Sequence, residues 1–175
     1  MKKAIIHYRD HIKLLLQCSL LDSMSPLQRN AFIKLCHKRE FQKNEFLFHQ
    51  GDPASGLYIV ESGSVNLFIP DAESSQITIK PYQSFAEFSL TSEVKRSYSA
   101  QCLENSTLYG FFKSDFDVLK KRHPDIGIKL YEAIVQLGTQ LLELSMDSIK
   151  KSQGLNEAIK HHFELYALQT EISPK

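Results

Sequence analysis

Tryptophan is absent from the 175 residues, and glycine (7), proline (6) and cysteine (3) are sparse. So little glycine and proline excludes a collagen, a flexible linker or a repeat array. The three cysteines, Cys18, Cys36 and Cys102, are odd in number and form no C-x-x-C pair. That excludes a disulfide scaffold and a short-spaced zinc site, and a reducing compartment fits better. The N-terminal apolar residues Ile5 and Ile6 are followed at once by His7, Arg9, Asp10 and His11, so no signal-peptide core forms. No run nears the roughly 18 apolar residues of a membrane helix. The chain therefore reads as soluble and cytoplasmic, with no membrane partner.

Charge of one sign is lacking too: Lys+Arg is 21 against Asp+Glu 20, a net +1. This argues against nucleic acid as the main partner. What is present is ordinary for a globular fold: 42% hydrophobic and 23% charged residues, with Phe 11 and Tyr 7 to fill a core.

Along the chain the texture changes twice. Residues 4–37 read as helix, with Ile5, Ile6, Ile12, Leu15 and Leu16 near helical spacing and a break at Leu21–Ser25. Ser25 is the expected N-cap of a second short helix, with Pro26 at its first position. Over 38–112, short runs such as Glu45–His49, Leu57–Val60, Ser64–Ile69, Gln76–Lys80, Ser97–Leu103 and Thr107–Phe112 alternate with turn residues. They predict a small antiparallel sandwich or roll. Helix returns over 114–151: Ser114 is expected to cap Asp115–Arg122, and Pro124 to open a long helix. Leu130, Ile134, Leu137, Leu141 and Leu144 step by four, three, four and three, a coiled-coil spacing. Ile128, Tyr131, Val135, Leu142 and Ile149 form a neighbouring stripe. Two stripes suggest a second surface to cover, so the first is expected to form a homodimer seam; a broad internal face is the alternative. Gly154 is expected to end this helix, and 152–175 to form a helical tail too short for a helix-turn-helix module.

The stretch N-E-F-L-F-H-Q-G-D-P-A-S-G-L-Y-I-V-E-S-G-S-V-N-L-F over residues 44–68 carries a specific pattern. Gly51 and Gly63 sit where turns need positive φ, Asp52 can bond N–H groups of its own turn, and Tyr58 and Val60 share one strand face. With Glu45 and Val65, these residues resemble the cyclic-nucleotide-binding domain family, whose best-known members are CRP/FNR-type regulators and kinase regulatory subunits. Asn44 stands where that family has Gly, and Asn tolerates the same left-handed backbone. The resemblance covers about residues 10–150 and implies an α+β fold: an antiparallel β-roll flanked by N-terminal helices and a long C-terminal helix.

It also implies a phosphate-binding cassette, here Tyr82–Leu90 closing at Lys95-Arg96-Ser97, with Phe85, Glu87, Leu90 and Arg96 matching. A cyclic phosphate is a monoanion beside a ribose. Arginine offers a planar, always-charged fork to its oxygens, and a carboxylate accepts from a ribose hydroxyl. By resemblance Arg96 takes the phosphate and Glu87 the ribose of cAMP or cGMP, with Ala86, Phe88, Ser89 and Ser97 completing the ligand site. From residue chemistry alone, Arg96 pairs equally well with Glu87 or Glu93. The cassette departs from the family at Tyr82 and Ala86, both usually Gly, and at Tyr98, usually small. The polar residues expected to meet the base reduce to Thr139 and Gln140 beside Leu141 and Leu142.

Other signals carry less. His123-Pro124-Asp125 copies a J-domain motif, but it follows a β region and reads as a helix start. His161-His162 lacks the i, i+4 spacing of a helical metal site, and no nucleophile elbow, Walker loop or H-E-x-x-H occurs. No catalytic residue, metal or resident cofactor is expected. The leading expectation is a regulatory module that binds a cyclic mononucleotide, dimerises and signals to an unknown protein effector. A ligand-free pseudo-sensor used for protein interaction is the alternative, and a DNA-binding regulator comes third.

Overall fold

The computed structural model describes residues 13–70, 76–91 and 95–153. They fall in two compact units, Met1–Ile134 and Val135–Lys175.

In the first unit, helical turns at 13–17 and a 3-10 turn Ser19–Leu21 precede helix α1, Pro26–Ile33. Ser25 caps α1 as expected, and Gln28 completes a capping box by accepting from the Ser25 N–H at 2.9 Å. Eight strands follow: β1 His37–Phe41, β2 Phe46–Phe48, β3 Gly56–Ser62, β4 Val65–Phe68, β5 Gln76–Ile79, β6 Ser84–Phe85, β7 Ser99–Cys102 and β8 Ser106–Phe112. They form two four-stranded antiparallel sheets, ordered β1-β8-β3-β6 and β2-β7-β4-β5. Every strand supplies a side chain to the layer between the sheets, among them Phe41, Phe48, Val60, Val65, Ile79, Phe85, Ala100 and Leu108. This is the expected roll. Strand β1 was not foreseen, because its H-K-R-E-F sequence has one buried residue in five.

Strand β3 is buried on both faces. Tyr58 and Val60 turn toward the inter-sheet core, while Leu57 and Ile59 join a second core beneath the helices. That second core is closed by α2, Lys113–Arg122, and by the first turns of α3, Pro124–Gln153. Ser114 does not cap α2; the Asp115 carboxylate reaches back and accepts from the Phe112 N–H at 2.9 Å. Asp115 thus serves the helix start, and Asp117 pairs with Lys120 at 2.8 Å.

Helix α3 corrects two positions of the expected dimer seam. Leu130 (0% exposed) and Ile134 (3%) fill the chain's own core with Phe116, Leu119 and Ile126. They are unavailable to a partner because the first three turns of α3 close the helix-side core. Ile128 and Tyr131, from the neighbouring stripe, are exposed instead.

In the second unit, described through Gln153, Leu141, Leu144, Val135 and Leu142 are exposed and Leu137 is half-buried. The helical tail expected over 155–172, and Gly154 as terminator, lie outside the described residues. So does the helix start expected at 4–12.

Candidate functional site

The cassette is built from the turn upward. Gly51 and Gly63 have φ of +88° and +83°, as their turns require. Asp52 accepts from the His49 N–H at 2.7 Å with its carboxylate, and its carbonyl accepts from the Arg96 N–H at 2.8 Å. The Arg96 carbonyl in turn accepts from the Gly51 N–H at 2.8 Å. The motif turn and the arginine segment are therefore locked backbone to backbone.

This lock delivers the Arg96 side chain into the domain, where the residue is 6% exposed. Its Nη1 donates to Ser89 Oγ at 2.7 Å, and its Nη2 to the Gly56 carbonyl at 2.9 Å. The guanidinium carbon lies 4.1 Å from the centre of the Phe48 ring and 6.0 Å from that of Tyr58. Among the described residues Arg96 Nε, also buried, has no hydrogen-bond partner. Glu87 is not its ion-pair partner, and Glu93 lies outside the described residues. Burial lowers the Arg96 pKa, against the influence of Tyr58, Tyr98 and Asp52.

Opposite the arginine segment, Ser84–Phe85 pairs with Tyr58–Ile59 of β3, and the chain then turns through Ala86 into the 3-10 turn Glu87–Leu90. Ala86 has φ 65° and ψ 29°, the left-handed conformation, at about 1–2 kcal/mol for a residue with a β-carbon. Tyr82 (φ 72°) and Asn44 (φ 66°) share it, and these three are the non-glycine residues with positive φ among the described residues. Each stands where the family pattern has Gly. The chain thus keeps the glycine backbone path while replacing the glycine. The turn is held to β3 by the Tyr82 N–H donating to the Val60 carbonyl at 2.7 Å and the Val60 N–H to that of Gln83 at 3.0 Å.

Glu87 is 6% exposed. Burial raises its pKa, and the Ser84 hydroxyl and its own backbone N–H only partly oppose this. Tyr98 is half-buried beside Phe48, ring centres 5.8 Å apart. Burial and the Glu87 carboxylate push its phenol up to about 12, against Arg96 and a hydrogen bond from the Ala86 backbone.

Of the six expected ligand residues, Ala86, Glu87, Ser89 and Arg96 are buried, and the fold brings Arg96 onto Ser89. Phe88 is 41% exposed, and Ser97 is exposed on the rim of a cleft of about 410 Å³ that Tyr98, Leu67, Ile69 and Ile77 also line. Three contributors were not foreseen. Phe48 lies under the guanidinium, Gly56 supplies its carbonyl acceptor, and Asp52 fixes its backbone. Gly56 has its own reason to be glycine, since a β-carbon there would collide with the Phe111 carbonyl. Alternation marks Phe48 as inward, but no local signal reveals what a backbone carbonyl will accept. Thr139 spends its hydroxyl on the Val135 carbonyl, 3.0 Å away. Among the described residues no cluster of His, Cys, Asp and Glu could hold a metal ion, and no helix is long and apolar enough to cross a membrane.

The family model described as cyclic nucleotide-binding domain matches residues 38–123. The chain is 28% identical over 140 residues to the cyclic AMP receptor protein of Thermus thermophilus, covering 78% of this chain and 64% of the receptor. The crystal structure of the Thermus thermophilus catabolite activator protein superposes with a TM-score of 0.62 at 28% identity, over 75% of this chain and 64% of that one. The neuropathy target esterase sws of Drosophila melanogaster is 24% identical over 161 residues, covering 84% of this chain but 11% of the esterase. The chain thus spans under two-thirds of these relatives, and the esterase match takes in only a small part of that enzyme.

Proposed function

We propose, from the premise that residues 38–123 belong to the cyclic nucleotide-binding domain family, that this chain is a sensory module taking a cyclic mononucleotide on Arg96 and Glu87. The carrying observation is Arg96 itself: a buried guanidinium, rigidly positioned, with Nε unpaired among the described residues. A guanidinium has five N–H donors, and Ser89 and Gly56 engage two. The remainder suit the two free oxygens of a cyclic phosphate in a low-dielectric site. Glu87, ionised, would accept from the ribose 2′-hydroxyl. The relative's name, cyclic AMP receptor protein, favours cAMP over cGMP.

The test is thermal unfolding with millimolar cAMP or cGMP. Ligand at about 100 times Kd stabilises by about 2.7 kcal/mol, or about 5–10 °C here. Arg96→Ala should abolish the shift. Arg96→Lys should lose most of it, because an ammonium keeps the charge but not the planar fork. No shift with either nucleotide, in the wild type and with Tyr98 replaced by alanine, rejects the reading and favours the ligand-free interaction module.

We further propose that the module is a homodimer, seated on the exposed stripe of α3 rather than on Leu130 and Ile134. Val135, Leu142 and Ile149 recur every seven residues, and the first two are 65% and 42% exposed. Leu141 and Leu144 flank them at 45% and 66%. Val135→Asp with Leu142→Asp should halve the mass in sedimentation equilibrium. An unchanged mass places the interface elsewhere. Ligand would act by its differential affinity for two placements of this helix, with output to a protein effector and a cytoplasmic site of action.

A further inference from the structure

We propose that Tyr98 is a built-in occupant of the anion subsite, so that a ligand phosphate enters only by displacing its phenol. The inference rests on the cyclic-mononucleotide reading above and deepens it. Tyr98 follows Arg96 by two residues, at a position where the family pattern has a small side chain. Its ring packs on Phe48, the same ring that carries the Arg96 guanidinium. Its hydroxyl is within hydrogen-bonding reach of the Ala86 backbone, and the phenol feels both Glu87 and Arg96. The tyrosine ring thus shares one aromatic platform with the guanidinium that would hold a cyclic phosphate.

The stand-in is incomplete in a way that permits exchange. A neutral hydroxyl offers one oxygen without charge, whereas a cyclic phosphate brings a full negative charge and two acceptor oxygens, and charge-assisted bonds are about twice as strong as neutral ones. Arg96 Nε is not satisfied by the phenol, since it has no partner among the described residues. Tyr98 also borders the open cleft of about 410 Å³ lined by Ser97, Leu67 and Ile77, so its ring has space to leave toward solvent. A binding-competent state populated only when the ring is out lowers apparent affinity by that fraction. The tyrosine therefore raises the concentration at which the module responds.

The experiment compares wild type, Tyr98→Phe and Tyr98→Ala by calorimetric titration with cAMP and cGMP. In parallel, thermal unfolding is followed in sodium phosphate against sodium chloride at matched ionic strength. Tyr98→Ala should bind nucleotide at least tenfold more tightly than wild type, and Tyr98→Phe, which loses only the hydroxyl, should fall between. Inorganic phosphate should stabilise Tyr98→Ala more than wild type, and Arg96→Ala added to Tyr98→Ala should remove both effects. Nucleotide affinity in Tyr98→Ala equal to or below that of wild type overturns the proposal. If no variant binds nucleotide, the cyclic-mononucleotide reading falls; the phosphate comparison then decides the occupant separately, standing if Tyr98→Ala alone responds and falling if neither protein does. Tyr98→Phe keeps the ring in the core, so it reports even if Tyr98→Ala folds poorly.

Discussion

Two carboxylates lie at nearly the same depth in this protein, Glu61 at 2% and Glu87 at 6% exposure, and their surroundings are opposite. Glu61, on β3, is met by Lys38 Nζ at 2.5 Å and accepts from the Tyr109 hydroxyl at 3.2 Å. Strands β1 and β8 place these partners side by side, since Lys38 and Tyr109 are in register. Glu87, in the cassette turn, has no cation as a salt-bridge partner among the described residues. Burial alone lifts its pKa, and a serine hydroxyl with its own amide gives only partial relief. A buried charge with a full complement of partners belongs to the architecture. A buried charge left short of partners, in the turn whose Ser89 engages a guanidinium with an unpaired Nε, is where a further group would gain most.

The largest expected effect breaks the satisfied member of the pair. Lys38→Met removes the cation and leaves Glu61 buried, which should cost about 2–3 kcal/mol after discounting for the partial exposure of Lys38. Thermal unfolding at neutral pH should fall by about 6–10 °C. Adding Glu61→Gln should restore much of the loss, because the orphaned charge goes with it. A single variant that melts within about 2 °C of wild type would show that Glu61 needs no cation, and the contrast between the two carboxylates would fail.

This contrast was half legible in the sequence. Arg96 and Glu87 were found because a spaced motif names them, and the strands of the roll because apolar alternation and turn residues announce them. Glu61 went unnoticed because its partners come from β1 and β8, distant in sequence and joined only by sheet register. Strand β1 was missed for the same reason: its exposed face is charged, and its pairing with β8 decides its structure. Leu130 and Ile134 of the expected dimer stripe belong to the core instead, because periodicity marks apolar positions without saying which of them the domain itself will cover. The departures from the family pattern at Asn44, Tyr82 and Ala86 proved the most instructive. Composition suggested an altered site, yet all three residues adopt the left-handed conformation. The backbone path is fixed by hydrogen bonds to β3 and β7, such as Tyr82 N–H to Val60 and Asn44 N–H to Cys102, and these outweigh the local steric cost.

A smaller effect sharpens the comparison from the unsatisfied side. Because the folded pKa of Glu87 is raised, the folded state holds the proton more tightly than the unfolded chain does. The stabilising share of this group is therefore fully present below its unfolded value near 4.5, and is lost as pH rises through the folded value. At neutral pH this buried carboxyl group is therefore a net cost to the fold. Glu87→Gln removes that cost while keeping the shape and an acceptor oxygen. Its melting temperature at pH 7 should equal or exceed that of wild type by about 2 °C, and the advantage should shrink or reverse below pH 4.5. The same substitution should weaken cyclic-nucleotide binding at pH 7, since an amide accepts a ribose hydroxyl less strongly than a carboxylate. Stability gained and affinity lost in one variant would mark Glu87 as held for a ligand at the expense of the fold. A clear loss of stability at pH 7 would instead make Glu87 a structural carboxylate like Glu61, and the distinction between the two would disappear.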